Sequence, residues 1–316
     1  MVRILFLATV PPPRIQELRP GWSNEMLPDY LQQQGASVAI KQWTDQDIIQ
    51  AIHESDHVSF LWCDDYIKHP DAFRDLLNRI KTSLAGSGRS PCVMNHTDLV
   101  AWNMDKRYLL EMQEAGFDIP KTEIVDAEQL SVSELQQRLR HFESSSPIVL
   151  KPTVSASSKK TRRIENMSNL SADDVEFLEA CTRGSLQSSL IIQKFEPSIA
   201  TGEYSFMFIG DKLTHTVLKA PKENEFRCQP EFGGEESLVD MSTIEERTLS
   251  IVYAIFNALK ARFGTGSTGK MGYVRIDGLV TNESAFRMME IEAVEPHIYL
   301  EMDGLEDMAS LMLGES

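Results

Sequence analysis

The stretch Met271–Glu292, MGYVRIDGLVTNESAFRMMEIE, carries the pattern that decides the fold of this chain. Its apolar residues predict two strands, Met271–Leu279 and Phe286–Ile291, with a short polar turn between them. Successive side chains of a strand point to opposite faces of the sheet, so Arg275 and Asp277 lie on the same face of the first strand. This pairing of opposite charges on an apolar strand indicates a functional surface.

Glu290 and Glu292 share one face of the second strand by the same rule. If the two strands are neighbours, these carboxylates converge with Asp277 and the Arg275 guanidinium on one patch. Mg²⁺ prefers oxygen ligands, commonly one or two carboxylates together with phosphate oxygens and water. The alternative is a pair of solvated strand faces, but unpaired like charges on strands this apolar are costly. A magnesium site is therefore predicted at this patch.

Two lysines stand where apolar elements begin or end. Lys106 follows Asn103 at the start of a predicted helix, and Lys151 closes the predicted strand Ile148–Lys151. A lysine in such a place presents a compact positive charge on a long stem, which suits a phosphate. Taken singly, each is also explained as a surface lysine whose stem lies along apolar groups.

Two polar, basic stretches add candidate anion sites. Thr153–Arg163, TVSASSKKTRR, combines cations with small residues that include Ser155 and Ser157. Small residues let main-chain N–H groups approach a phosphate, and the cations complement its charge. A second basic strip contains Lys219 and Arg227 and would hold an anionic substrate. For Thr153–Arg163, a basic surface loop is the alternative interpretation.

Composition narrows the classes of partner. The 316-residue chain has a formal net charge of −16, which argues against nucleic acid or an anionic membrane surface. It does not argue against ATP, because a local basic pocket outweighs the global field at short range. No apolar run approaches the roughly 18 residues of a membrane span, and Met1–Val10 is predicted to be a strand and not a signal peptide. The four cysteines are scattered, so a reducing cytoplasm fits best.

The predicted elements divide the chain into an α/β part and an α+β part. Short apolar runs separated by amphipathic stretches predict a parallel α/β layer over residues 1–95. Beyond it the order is mixed, and Gly210-Asp211 predicts a hairpin. The length suggests two or three packed units of roughly 100–200 residues each. The predicted domains are 1–95, 96–195 and 196–316.

The order of these motifs resembles the ATP-grasp superfamily of carboxylate–amine ligases. The set comprises Asn103–Lys106, Val149–Pro152, the basic loop, Gln193–Pro197, Gly202-Glu203, Arg275–Asp277 and Glu290–Glu292. It looks most like the glutathione-synthetase-type branch, and in particular the cyclo-ligases of cycloserine biosynthesis that close O-ureido-serine. The resemblance covers about the last two-thirds of the chain. It implies an ATP-grasp lid and small subdomain over 96–195, a C-terminal subdomain with the metal site over 196–316, and a preceding Rossmann-like domain.

The resemblance implies a role for each matching residue. The ATP contacts would come from Lys106, Lys151, Ser155, Ser157, Gln193, Lys194, Phe195, Glu196 and Glu203. Residues 193–196 would border the adenine, and Glu203 would accept the ribose hydroxyls. The ligands of Mg²⁺, or of Mn²⁺ in its place, would be Asp277, Glu290 and Glu292. Arg275 would meet the terminal phosphate, while Lys219 and Arg227 would face the acyl phosphate and the acceptor.

Two positions depart from the family's pattern. Ser155–Ser158 stands where the phosphate-covering loop is usually glycine-rich, which puts the mobility of that loop in question more than its role. Glu292 stands where glutathione-synthetase-like enzymes usually have Asn, and it adds negative charge. The Glu-x-Glu pattern followed by Glu295-Pro296 looks closer to the cyclo-ligase branch.

The implied activity joins a small amino-acid-like carboxylate to an amine through an acyl phosphate, giving a linear or cyclic product in natural-product biosynthesis. The partners would be small-molecule carboxylates and amines, with no nucleic acid and no membrane, and a homo-oligomer is allowed but not required. The substrate pocket is expected near Trp22, Tyr66, Tyr299 and Ala220–Gly234. Two alternatives stay open: a small-molecule kinase on the same fold, and a nucleotide-binding regulator without catalysis.

Overall fold

The fold is seen in a computed structural model whose strands form three sheets. The structure describes residues 1–9, 26–85, 91–142, 146–156, 160–222, 225–228, 232–264, 271–281 and 285–315. Within these ranges, no helix has both the length and the apolar character needed to cross a bilayer.

The first sheet is a parallel layer. Its strands are β1 (Arg3–Ala8), β2 (Ser37–Gln42), β3 (His57–Trp62) and β4 (Cys92–Val93). The helices between them are α1 (Met26–Gln33), α2 (Ile48–Glu54) and α3 (Pro70–Ala85). The strand order is β2-β1-β3-β4, and all three pairings are parallel. Parallel strands are covered on both faces, which explains their continuous apolar runs. The predicted parallel α/β layer is confirmed.

Two short helices, α4 (Thr97–Asn103) and α5 (Tyr108–Glu114), follow the first sheet. The prediction that a helix begins near Met104 and carries Lys106 in its first turn is wrong. Asn103 is the last residue of α4, and Lys106 lies in the turn between the two helices. This turn leaves the Lys106 side chain free of either helix face.

The second sheet is antiparallel and covers the middle of the chain. Its elements are β5 (Thr122–Val125), α6 (Val132–Phe142), β6 (Ile148–Pro152), β7 (Arg162–Ile164), α7 (Ala172–Thr182) and β8 (Leu190–Lys194). The strand order is β5-β8-β6-β7. Both helices pack on the sheet, for example through Leu135 and Leu178, which are buried with Leu150. Lys151 is therefore presented near the end of β6, a strand in the interior of this sheet.

The third sheet is five-stranded and antiparallel. Its elements are β9 (Glu203–Ile209), β10 (Lys212–Ala220), β11 (Glu235–Leu238), α8 (Glu246–Phe263), β12 (Tyr273–Val280) and β13 (Phe286–Glu292). The order is β11-β10-β9-β12-β13, so β13 is an edge strand. Phe208, Val274 and Ile291 pack on α8. The opposite face of the sheet therefore carries the intervening residues of these strands.

Asn95 ties the first sheet to the third. Its Nδ2 donates to the main-chain oxygens of Tyr273 at 2.8 Å and Ala293 at 2.7 Å. Its Oδ1 accepts from the main-chain N–H groups of Gly272 at 3.1 Å and Tyr273 at 3.2 Å. A side chain at position 272 would not fit, because a Cβ there would lie 1.8 Å from the Met94 carbonyl oxygen. The start of β12 is thus fixed against the first sheet.

The last helix, α9 (Leu305–Leu313), packs on the first unit of the fold. Met308 and Met312 share one buried cluster with Leu27 and Leu31 of α1. Hydrophobic packing therefore crosses from the last residues to the first. The sheets change near residues 95 and 195, but the exact domain boundaries stay a prediction.

Candidate active site

The charged side chains of β12 and β13 meet on one face of the third sheet. In the pairing of these strands, Asp277 lies opposite Glu290 and Arg275 lies opposite Glu292. The register shifts after Asp277, because Gly278 pairs with Met288. The bulge lies beyond the charged stretch, and the regular pairing of residues 275–277 with residues 290–292 places both glutamates on the face that carries Asp277. The structure thus brings together four side chains that the sequence only placed in pairs.

Arg275 holds Asp277 and Glu292 at once. Its Nε donates to Asp277 Oδ1 at 2.9 Å and its Nη2 to Asp277 Oδ2 at 2.9 Å, while Nη2 also lies 2.5 Å from Glu292 Oε1. Burial alone would lower the pKa of Arg275, but the Asp277 and Glu292 carboxylates raise it well above the usual value. Burial would likewise raise the pKa of Asp277, yet Arg275 and Lys219 hold it below its usual range. Asp277 is therefore an anion at any ordinary pH.

Lys219 bridges two buried carboxylates. Its ammonium lies 2.7 Å from Glu203 Oε2 and 3.0 Å from Asp277 Oδ2. Burial would lower the pKa of Lys219, but Asp277 and Glu203 raise it well above the usual value. Burial raises the pKa of Glu203, an effect that Lys219 only partly offsets. Glu203 is thus engaged with a lysine in this structure, although the sequence predicted that it accepts ribose hydroxyls.

Lys106 joins the second sheet to the third. Its ammonium lies 2.9 Å from Glu290 Oε1 and also donates to the main-chain oxygen of Ser155. Its own main-chain N–H donates to Thr153 O at 2.8 Å. The turn before α5 therefore fills the gap between the end of β6 and the edge strand β13.

Lys151 belongs to the same charged group. Burial lowers the pKa of Lys151, while the nearby Glu290 carboxylate opposes that change and the Lys106 ammonium adds to it. Burial would raise the pKa of Glu290, but Lys106 and Lys151 lower it below the usual value. The two predicted ATP lysines and one predicted metal ligand thus share one electrostatic environment.

Among the three predicted metal ligands, Glu292 is the carboxylate whose charged form is least stabilised by its neighbours. Burial raises its pKa to about 7, because Arg275 offsets only part of that effect and Glu290 adds to it. The side chain still keeps 31% of its surface exposed, so it lies at the mouth of the cluster. Its proton is therefore exchangeable near neutral pH.

The donor set fits a divalent ion that arrives with phosphates. Among the residues that the structure describes, no three acidic, histidine or cysteine side chains form a ready-made metal-holding group. The predicted ligands instead lie against cations, Lys106, Lys219 and Arg275. All three ligands are carboxylates, the oxygen donors that Mg²⁺ takes in small number beside phosphate oxygens and water. These residues therefore suit a metal site that phosphate completes.

The predicted adenine-bordering stretch is partly engaged with protein. Gln193 is buried, and its Nε2 donates to Thr122 Oγ1 at 3.0 Å. The main-chain N–H groups of Lys194 and Phe195 donate to the carbonyl oxygens of Lys121 at 2.9 Å and Pro147 at 3.0 Å. These two N–H groups would have to exchange partners before they bind a base.

The end of that stretch meets charged and aromatic neighbours. The Arg163 guanidinium lies 3.7 Å from the centre of the Phe195 ring. Glu196 pairs with Arg287 at 2.8 Å. Phe195 also meets the ring of Phe226 edge-on at 6.2 Å, so the segment after β10 packs on the stretch that is predicted to border adenine.

Arg227 is not brought to the acidic cluster by any described contact. The Arg227 guanidinium pairs with Glu225 at 2.7 Å and covers the Phe232 ring at 3.6 Å. Ser157 lies outside the described residues, as does Trp22. Ser155 is buried at the end of β6, where its hydroxyl donates to Pro152 O at 3.1 Å.

The structure adds residues that the sequence prediction did not place in the site. Cys228 is buried close to the charges of Glu203 and Lys219, and burial raises the pKa of its thiol to about 12. Tyr299, named above only as part of an expected pocket, donates its hydroxyl to Glu236 Oε1 at 3.2 Å. The strand β11, which carries Glu236, was not predicted, because its sequence EESL is short and polar.

Two family models match the chain. The model of the N-terminal domain of D-cycloserine synthetase DcsG matches residues 5–85. The model of the ATP-grasp domain of prokaryotic glutathione synthetase matches residues 120–265. A comparison with curated protein sequences finds no match.

Solved structures share the fold at low sequence identity. D-cycloserine synthetase DcsG superposes with a TM-score of 0.75 at 18% identity, over 100% of this chain and 99% of that chain. D-alanine–D-alanine ligase from Bacillus anthracis superposes with a TM-score of 0.66 at 14% identity, over 99% of this chain and 95% of that chain. The macrocyclase MdnC from Microcystis aeruginosa MRC, bound with its precursor peptide MdnA, superposes with a TM-score of 0.62 at 14% identity. The match covers 99% of this chain and 100% of that chain.

The predicted architecture, an ATP-grasp fold preceded by a Rossmann-like domain, is confirmed by the sheets and by these matches. The two family models together span more than half of the chain. Residues 120–265 therefore match an ATP-grasp ligase domain, and the chain shares its fold with D-cycloserine synthetase DcsG along its whole length.

Proposed function

We propose that this enzyme uses ATP and Mg²⁺ to activate the carboxylate of a small amino-acid-like molecule as an acyl phosphate and then passes the acyl group to an amine. The observation that carries the proposal is the meeting of Lys106 and Lys151 with the carboxylate cluster, at the gap between the second and third sheets. Cations for a triphosphate and oxygen donors for a divalent ion thus lie in one place.

The chemistry explains why such a site is needed. A carboxylate resists nucleophiles because it is negatively charged and because oxide is a poor leaving group. Transfer of the terminal phosphate of ATP to the carboxylate oxygen supplies a good leaving group. The protein's part in that step is mostly positioning and charge neutralisation. Attack of the amine on the acyl carbon then expels phosphate and forms the amide.

Each cation has a distinct task in this scheme. Lys106 and Lys151 bind phosphate oxygens, and Lys106 is able to exchange Glu290 for one of them because its stem reaches across the gap. Arg275 faces the terminal phosphate with donors that are already oriented by Asp277. Lys219 stays beside Asp277 and offsets the charge that develops on the transferred group.

The metal would be held by Asp277, Glu290 and Glu292. When bound, it neutralises the phosphate charge and orients the phosphate groups. Enzymes of this superfamily use ATP and divalent metals, and Mg²⁺ is proposed here because the donors are all carboxylates. Glu290 would exchange its contact with Lys106, and Glu292 its contact with Arg275, for the ion.

Water must be excluded, since an acyl phosphate hydrolyses. The segment 220–234 supports this role, because Phe226 packs on Phe195 and Cys228 is buried beside Glu203. We propose that this segment and the loop after β6 cover the reacting groups.

The match to the DcsG N-terminal model and the Glu-x-Glu pattern support a small-molecule substrate in natural-product biosynthesis, with an intramolecular ring closure among the possible outcomes. We place the enzyme in a reducing cytoplasm, since its four cysteines are scattered along the chain and form no C-x-x-C pair. The proposed partners are small carboxylate and amine substrates, and a homo-oligomer is compatible with this scheme.

The test is an ADP-release screen over amino acids and small carboxylic acids, with hydroxylamine as the trapping amine. We expect the right acid to give ADP and a hydroxamate in equal amounts. Lys151→Ala should lower the rate of both by at least about 10²-fold, because a phosphate contact is lost. The matched control is Lys212→Ala, which removes an exposed lysine that pairs with Asp307 and should leave the rate unchanged.

Three outcomes would contradict the proposal. Unchanged turnover in folded Lys151→Ala would remove this lysine from the mechanism. A stable phosphorylated product without consumption of the amine would identify a small-molecule kinase. Tight ATP binding without ADP release in any mixture would identify a nucleotide-binding regulator.

A further inference from the structure

The edge strand β13 is completed by side chains in place of a sixth strand. The main-chain groups of Ile291 are both bonded to Tyr108, whose hydroxyl donates to Ile291 O at 2.9 Å and accepts from Ile291 N at 2.8 Å. Asn103 continues this pattern, because its Nδ2 donates to Ile291 O at 2.8 Å and its Oδ1 accepts from Ala293 N at 2.7 Å. Two side chains thus provide the hydrogen bonds that a neighbouring strand would make.

These contacts are shielded from water. Tyr108 and Ile291 are each 1% exposed, and Asn103 is 7% exposed. A main-chain group that loses its partner in such a place costs the full free energy of its desolvation. The position of Ile291 is therefore tightly specified.

Ile291 stands directly between two predicted metal ligands. Its neighbours in sequence, Glu290 and Glu292, point to the opposite face, toward Asp277. Any displacement of the main chain at residue 291 moves both carboxylates together. The hydrogen bonds along the free edge of β13 thus set the place of the two carboxylates on the sheet face that carries Asp277.

The segment 103–108 also carries Lys106, the lysine that is proposed to bind phosphate. Asn103 ends α4, Tyr108 begins α5, and Lys106 lies in the turn between them. The Lys106 ammonium lies 2.9 Å from Glu290 Oε1. The segment 103–108 therefore fixes the lysine and the carboxylates relative to one another.

We propose that Asn103 and Tyr108 are positioning residues of the divalent-metal site, acting through the main chain of β13. The inference rests on the proposed function and goes beyond it, because both side chains are engaged with the main chain of β13 and not with the carboxylates themselves. Partners that orient metal ligands from outside typically contribute 10–100-fold to metal affinity. Tyr108 and Asn103 hold two ligands through one residue, so their loss should affect the metal more than the nucleotide.

The test measures Mn²⁺ binding by the loss of its free-ion electron paramagnetic resonance signal, with a saturating non-hydrolysable ATP analogue. Tyr108→Phe removes one hydroxyl and keeps the ring, and we expect it to raise the Kd of Mn²⁺ by about tenfold. Binding of the analogue without metal should change by less than about twofold, because Lys106 keeps its own main-chain bond to Thr153 O and Lys151 lies on another strand. Asn103→Ala should raise the Kd of Mn²⁺ in the same direction.

Tyr273→Phe is the matched control. It removes the same group from an equally buried tyrosine, whose hydroxyl donates to Val294 O at 3.1 Å, beyond both ligands. Its Kd for Mn²⁺ should stay within about twofold of the wild type, although its thermal stability falls comparably.

Equal Mn²⁺ affinity in wild type and folded Tyr108→Phe would overturn the positioning role. Equal losses of affinity in Tyr108→Phe and Tyr273→Phe would overturn it as well, since the effect would then be one of general stability. If Asn103→Ala does not fold, the two tyrosine variants decide the question. Absence of Mn²⁺ binding in the wild-type complex would refute the proposed function itself, and the positioning role would fall with it.

Discussion

Replacing Lys219 by methionine should expose the electrostatic balance of the site. The ammonium lies between Glu203 and Asp277, and the three side chains are 7%, 15% and 4% exposed. Methionine keeps most of the volume of lysine but removes the charge. Asp277 retains the Arg275 guanidinium, whereas Glu203 loses its ion-pair partner. The cost of the change therefore falls mainly on Glu203.

The magnitude follows from this loss. Removing one partner of a buried ion pair typically costs about 3–5 kcal/mol, because the remaining charge stays buried. That is a large share of the roughly 5–15 kcal/mol that stabilises a folded protein. For a chain of this size, we expect a decrease in Tm on the order of 10 °C at pH 8.

The pH dependence has a definite sign. Burial already raises the pKa of Glu203 above its ordinary value of 4.5, and loss of Lys219 removes the effect that opposes this rise. At pH values between 4.5 and the pKa of Glu203 in the folded variant, the folded state then binds more protons than the unfolded state. The free energy of unfolding of Lys219→Met therefore falls as pH rises through this window. On acidification to about pH 5, the deficit relative to wild type should shrink, because Glu203 takes up a proton.

Differential scanning calorimetry at pH 5 and pH 8 measures both effects. Lys212→Met is the control, since Lys212 lies at the other end of β10 with 65% of its side chain exposed. The double variant with Glu203→Gln should recover much of the lost stability at pH 8. The reasoning is refuted if Lys219→Met melts within about 2 °C of the control at pH 8, or if its deficit grows on acidification.

Two further predictions concern the metal and the backbone. Glu290→Gln should raise the Mg²⁺ concentration for half-maximal ADP release by at least about tenfold, since a charged ligand and the partner of Lys106 are lost together; an unchanged Mg²⁺ titration would contradict the ligand assignment. Gly272→Ala should lower the Tm by several degrees, because its Cβ would lie 1.8 Å from the Met94 carbonyl oxygen and the main chain must shift; a Tm equal to that of wild type would show that β12 is not held there.

The sequence was informative where function depends on strand alternation. The pairs at 275 and 277 and at 290 and 292 follow from a period of two, and the apolar runs around them indicate adjacent strands. Lys106 and Lys151 were recognisable because each stands at the end of an apolar element. Lys106 reaches Glu290 because α4 ends at Asn103 and a turn follows it. The helix pattern in the sequence did not predict this turn.

The positioning contacts left no local trace in the sequence. Tyr108 and Asn103 bond to Ile291 across separations of 183 and 188 residues. Neither residue stands out from its neighbours in the sequence. Because both bond to the main chain of Ile291, the type of side chain at position 291 does not reveal the contact. Arg227 shows the opposite case, because a basic residue that was predicted to face the acceptor pairs with Glu225, only two positions away.

The packing of α9 on α1 has a consequence during synthesis on the ribosome. Leu27 and Leu31 are covered by Met308 and Met312, which are translated far later. At about 5–20 residues per second, the leucines wait roughly 15–60 s for that cover. A nascent chain whose first strands are already paired thus exposes Leu27 and Leu31 to solvent until Met308 and Met312 have been synthesised. We expect soluble yield to respond to chaperone supply and to slower expression.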